Sequence, residues 1–149
     1  MLAARVVLLL AVVWVGSMWT IGYLVAPTLF ATLAESTLAG SIAGRLFRIE
    51  AWLALVCGLL MLGLLRMPGA VPEEGRRWIR YIVLGMLACT VLGYFALNPF
   101  MAELREAAAA AGGTWEPDAR ARFGMLHGVS SLFYLVQSLL GVALIWRLR

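Results

Sequence analysis

The chain has 149 residues, 63% of them hydrophobic and 13% charged, and carries a net charge of +4. A soluble domain of this size shows more polar surface to water, so the composition excludes one and points to the lipid bilayer as solvent. All the basic residues are Arg, and none form a face with interleaved aromatics; the excess charge therefore reads as a membrane-orientation signal, with no nucleic-acid partner.

A span needs roughly 20 mostly apolar residues to cross the ~30 Å hydrocarbon core. Four runs qualify, which predicts an all-α fold: an integral membrane four-helix bundle, one transmembrane domain over residues 1–149. The first run, 6–26, holds no charge. It is longer than a signal-peptide core and no small-x-small cleavage pattern follows it, so it reads as a retained span. The second, 46–65, follows Ser36, a good N-cap, and ends at Arg66 with Pro68 and Gly69 beyond. A helix starting near Thr37 would project out of the membrane. The third, 81–97, closes on Asn98-Pro99, which reads as a helix stop. The Ala-rich stretch 101–111 then predicts a short surface helix ended by Gly112-Gly113. The fourth run, 126–146, has an amphipathic run-up from Pro117, a residue suited to a first turn.

Arg5 precedes the first span, Arg66, Arg76, Arg77 and Arg80 separate the second from the third, and Arg147 and Arg149 follow the fourth. Arg-rich short segments stay in the cytoplasm, so both termini are expected there, N-in/C-in, in a bacterial inner membrane. The connection 27–44 carries the acidic Glu35, and 98–125 sets Glu103, Glu106, Glu116 and Asp118 against Arg105, Arg120 and Arg122; both should face outward.

In hydrocarbon, helices associate through small residues and occasional interhelical hydrogen bonds. Gly16, Thr20, Tyr23 and Pro27 fall at helical spacing, as do Gly85, Cys89, Gly93 and Ala96, and His127, Ser131, Tyr134, Ser138 and Gly141; Gly40 and Gly44 open the second helix. The plain reading of these stripes is helix packing.

The ionisable residues near the outward span ends carry more information. Arg48 and Glu50 lie at about the depth of Asn98 and His127, and with Arg45 these five residues form a candidate ligand or ion site. A charge at mid-bilayer costs at least ~2.5 kcal/mol, so an intramembrane ionisable residue is a functional candidate by default. Arg48 and Glu50 point about 200° apart on an ideal helix. Arg45 and Arg48 share a face with Trp52, and Glu50 shares one with Cys57 and Met61. The structural alternatives are Arg side chains that snorkel or pair with Glu35, Glu103 or Glu106, and a Glu50 paired with an Arg of a neighbouring loop. An unpaired Glu50 would instead suit proton relay or cation capture.

His127 is the one histidine, so a bis-histidine haem within one chain is excluded, and no cofactor is expected. Cys57 and Cys89, with Met61 and Met86 nearby, compose either a soft-metal pathway or ordinary apolar filler; no structural disulfide is expected. Gly-x-Ser-x-Gly, Walker and His-Glu-x-x-His motifs are missing, and no enzyme chemistry is indicated.

Ala26-Pro27-Thr28-Leu29-Phe30, the stretch from Ala39 to Phe47 with Gly40, Gly44 and Arg45, and Phe123-Gly124-Met125-Leu126-His127-Gly128-Val129-Ser130 together resemble the transmembrane protein 205-like family, over nearly the whole chain. Bacterial members of that family form a domain of unknown function. The resemblance implies a compact four-helix membrane fold, and the eukaryotic relatives' association with tolerance of platinum drugs implies handling of a toxic compound or metal. The matching Pro27, Phe30, Gly40, Gly44, Phe47 and His127 would gather near the outer leaflet. The family pattern often has Asn four residues after the Leu-His-x-x-Ser piece, where this chain has Tyr134. Three readings result: a protein that binds or transports a cation or amphipathic toxic compound; a structural subunit that docks on a larger membrane complex or on itself; and, least supported, a haem or redox protein.

Overall fold

Inside a bilayer every backbone N–H and C=O must find its partner within the protein, which a continuous helix achieves by itself. In a computed structural model, which describes residues 2–149, the chain does this with four long helices: α1 (Leu2–Thr32), α2 (Ser36–Leu64), α3 (Glu73–Ala110) and α4 (Pro117–Arg147). They run 29 to 38 residues and all four are apolar enough to cross a membrane. At 1.5 Å per residue each is roughly 44 Å or longer, well beyond the ~30 Å hydrocarbon core. The protein is thus a four-span, all-helical membrane protein whose helices project past the bilayer. Short connections at 33–35, 65–72 and 111–116 join them, and the helices pack as a ring, α1 on α2, α2 on α3, α3 on α4 and α4 back on α1.

Of two prolines at span ends, Pro27 does not act as the sequence rules predict and Pro99 does so in part. Asn98-Pro99 was expected to end the third span, with a separate surface helix beyond, and residues from Pro27 onward were expected to form a loop. Instead α1 continues through Pro27 to Thr32, whereas within α3 a turn at Leu97 is followed by a distinct helical segment, Asn98–Ala110, with Pro99 in its first turn. A proline in a helix leaves the carbonyl four residues back without its donor. Here each proline follows a π-helical stretch, Thr20–Val25 in α1 and Val91–Ala96 in α3. In the first, the Ala26 N–H bonds the Ile21 carbonyl, five residues back. The wider turn re-registers the backbone bonds and the helix goes on.

The helix ends follow local chemistry more closely. Ser36 is the first helical residue of α2, one position inside the cap expected for it, with Glu35 at the cap. Pro117 opens α4. After Ala110, Gly112 and Gly113 adopt φ of +69° and +88°, the left-handed region that glycine enters without a Cβ penalty. The Gly113 N–H bonds the Ala108 carbonyl at 2.9 Å and the Gly112 N–H bonds that of Ala109 at 3.1 Å, which together make a Schellman end.

The apolar core sits towards the end of the bundle that holds the chain termini. Val7, Ala11, Trp14, Val15 and Met18 of α1, Ala54, Cys57 and Met61 of α2, Ile79, Val83, Met86 and Leu87 of α3 and Leu144 of α4 form one buried cluster. Beyond Met18, Ala54, Leu87 and Ser138 the interior turns polar.

Candidate functional site

At this boundary α4 inserts hydroxyl and amide groups between its neighbours. The Tyr134 hydroxyl donates to the Met18 carbonyl, and the Gly22 N–H is directed at the same hydroxyl. In a regular helix that N–H and that carbonyl would bond each other. Tyr134 therefore stands in the α1 ladder, an insertion that displaces a turn from α geometry. Glycine is required at position 22, because a Cβ there would overlap the Tyr134 ring. On the other side, Ser130 Oγ donates to the Gly93 carbonyl at 2.9 Å, within the π-helical stretch of α3. An α4 hydroxyl thus takes a backbone carbonyl just before the first widened turn, Met18, and one within the second, Gly93.

The layer continues with Gln137 Nε2, which donates to Thr90 Oγ1 at 3.0 Å; that hydroxyl donates in turn to the Met86 carbonyl at 3.2 Å. The Tyr23 hydroxyl donates to Ser138 Oγ at 2.8 Å. Tyr23 and Phe47 both meet the Tyr134 ring edge-on, with centroids 5.9 and 5.6 Å away.

Glu50 of α2 faces this layer. It is 5% exposed, and its Oε1 is buried without a hydrogen-bond partner. Among the described residues the one ion pair is Arg76–Glu73 at 3.0 Å, so Glu50 has no cationic partner there. A buried carboxyl with an open oxygen is a group that accepts a proton or a cation.

The five residues grouped by depth divide between faces. Glu50 turns inward on the face it shares with Cys57 and Met61. Arg45 and Arg48 are exposed on the opposite side with Trp52. Half-buried Asn98 accepts a bond from Arg105 Nη2 at 3.3 Å, and Arg105 Nη1 would stand 3.3 Å from a Cβ at Gly44. His127 is exposed, its ring parallel to that of Phe123 at 6.0 Å.

Among the small residues, Gly85, Gly93 and Gly141 abut Leu140, Phe133 and Val15, and Gly40 comes near Phe30. Gly16 and Pro27 lie on exposed outer surface. The α4 face that turns inward runs through Gln137, Ser138, Gly141 and Leu144, with Ser130 and Tyr134 half-buried beside it, while Ser131 and His127 point out. Sequence reasoning passed over Gly22 and Gly58, at which a Cβ would overlap Tyr134 and Leu87, and over Ser130, Thr90 and Gln137. A Gln and a Thr inside otherwise apolar runs were the available signal for the last two. Cys57 and Cys89 are buried free thiols. Among the described residues no three His, Cys, Asp or Glu side chains cluster as a metal site.

A four-span bundle with a polar layer and a buried acidic side chain is the class of protein these features define. Residues 9–110 match the family described as a domain of unknown function (DUF4149), and the chain belongs to that family. The match takes in most of α1, all of α2 and α3, and therefore Glu50, while Tyr134 and the rest of α4 lie beyond it. Comparison with curated proteins and with solved structures gives no match.

Proposed function

We propose that this protein binds a cationic or amphipathic toxic compound within its bundle, with Glu50 as the charge that holds it, and that it acts as a small transporter or binding protein rather than as an enzyme. The observation that carries this reading is the buried Glu50 carboxyl with its partnerless oxygen, one turn along α2 from Phe47, whose ring meets that of Tyr134 edge-on. Evolution gains no stability from such a group, since burying a carboxyl without a partner costs free energy. Aromatic faces beside a carboxylate favour an organic cation, which they attract through the ring quadrupole. The resemblance to the transmembrane protein 205-like family, with its link to toxic-compound tolerance, agrees with this.

The Arg distribution supports an orientation with both termini and the 65–72 connection in the cytoplasm of a bacterial inner membrane. In that orientation Glu50 lies towards the outer side. Arg48 and Arg66 are 18 residues apart, roughly 27 Å along α2, which puts Glu50 less than a turn inside the hydrocarbon edge.

Isothermal titration of the protein in lipid nanodiscs with tetraphenylphosphonium tests the reading. Saturable binding should weaken at least ~tenfold in Glu50→Gln, as expected when one partner of a buried charge contact is removed. Equal affinity in the two proteins would exclude Glu50 as the binding charge. A second reading, a subunit that docks on itself or on a larger complex, draws on Gly16, Gly124 and Gly128, which lie on outer faces with nothing within 4 Å of a Cβ. Crosslinking in native membranes that recovers a monomer alone would remove it.

A further inference from the structure

At the end of the bundle opposite the 33–35 and 111–116 connections, a cavity of about 250 Å³ opens between α2 and α3, lined by Leu62, Arg66, Arg80 and Leu84. The lining is ordered by depth. Leu62 lies one turn before Arg66 on α2, and Leu84 one turn after Arg80 on α3, so both leucines stand on the membrane side of their arginine. The groove is therefore apolar within the bilayer and doubly cationic at its mouth.

Of the other cations at this end, all but the exposed Arg5 are engaged, Arg149 over the Trp146 ring. Arg76 pairs with Glu73 at 3.0 Å, Arg77 lies over the Tyr81 ring and Arg147 over the Trp78 ring. Arg66 and Arg80 have no carboxylate or hydrogen-bond partner among the described residues, and both face the same cavity. Arg80 and Asn98 are 18 residues apart, roughly 27 Å, about the thickness of the hydrocarbon core. The two guanidiniums thus sit at the level of lipid phosphates, and a guanidinium fork matches the phosphate oxygens in pairs.

We propose that this groove binds one anionic phospholipid, with its phosphate between Arg66 and Arg80 and an acyl chain along Leu62 and Leu84. A basic pocket between membrane helices is the usual place for such a headgroup, and the two leucines distinguish a lipid from free phosphate. The groove is separate from Glu50, so this assignment and the cation-binding reading stand or fall independently.

Native mass spectrometry from mild detergent, with phosphatidylglycerol and phosphatidylcholine of identical chains offered in equal amounts, is the test. The wild-type protein should retain phosphatidylglycerol preferentially. The double variant Arg66→Gln/Arg80→Gln should bind it about thirtyfold more weakly, about fivefold for each charge lost near the surface. Arg149→Gln, which removes a charge outside the groove, should leave the preference in place. Leu84→Trp, which fills the groove and keeps both charges, should also weaken retention. The proposal is overturned if the double variant keeps the preference, or if Arg149→Gln lowers it as much. It is equally overturned if Leu84→Trp binds normally and inorganic phosphate displaces the lipid, since the groove would then read phosphate alone.

Discussion

In the half of the bundle that holds the chain termini, Trp14, Met61, Leu65, Ile79, Met86 and Leu144 are fully buried, whereas in the other half the buried side chains are mostly small or polar, among them Ala39, Ala43, Ala51, Cys89, Thr90, Gln137 and the acid Glu50. The first half has regular helices and large side chains in one cluster. The second has two π-helical turns, small residues, and a polar layer along its inner boundary. In hydrocarbon, close van der Waals packing and interhelical hydrogen bonds hold helices together, because lipid tails are as apolar as leucine and burial alone gains little. The first half is thus built for cohesion. The second replaces part of that packing with polar contacts that lock α4 to α1 and α3, and it leaves one buried carboxyl unpaired.

The sharpest way to break this comparison is to remove a large side chain from the cohesive half. Trp14→Ala should destabilise the bundle by about 3 to 5 kcal/mol in reversible unfolding from mixed micelles. Trp14→Phe should cost less than about 1.5 kcal/mol, because the indole N–H it deletes is buried without a partner. Next in size is Gly22→Leu, which drives a side chain into the Tyr134 ring; overpacking of this kind costs about 1 to 3 kcal/mol. The loss should be reduced in the background Tyr134→Ala, a coupling measurable by a double-mutant cycle. Smallest is Tyr134→Phe, which keeps the ring and removes the donor to the Met18 carbonyl. It should cost about 1 kcal/mol, in the range of polar contacts between membrane helices, and should speed amide exchange at Gly22 more than at Val7.

Much of the cohesive half was legible from the residues. Long apolar runs and clustered arginines mark the spans because the bilayer imposes a length, and the periodicity of Glu50, Cys57 and Met61 marks the inward face of α2. The passage of α1 through Pro27 was not legible. The local rule treats Pro27 as a stop, and the π-helical stretch before it follows a carbonyl, that of Met18, which is taken by Tyr134 from another helix. Arg45, Arg48, Asn98 and His127 were grouped with Glu50 by depth, which is one coordinate; rotation about each helix axis is another, and it turns Arg45, Arg48 and His127 outward. Tyr134 lay on a predicted stripe, yet its place in the α1 ladder depends on Gly22 opposite, a pairing that no spacing within α4 encodes.

The most direct test of Glu50 as a functional rather than a stabilising residue is the unfolding temperature of wild type and Glu50→Met in nanodiscs, with and without tetraphenylphosphonium. The account predicts that Glu50→Met, free of ligand, melts at or above the wild-type temperature, because an unpaired buried carboxyl is replaced by an apolar chain. It also predicts that the probe, at about a hundred times its dissociation constant, raises the wild-type midpoint by roughly 5 °C or more and leaves the variant unmoved. A variant that melts well below wild type, yet is still stabilised by the probe, would contradict it and make Glu50 a structural residue.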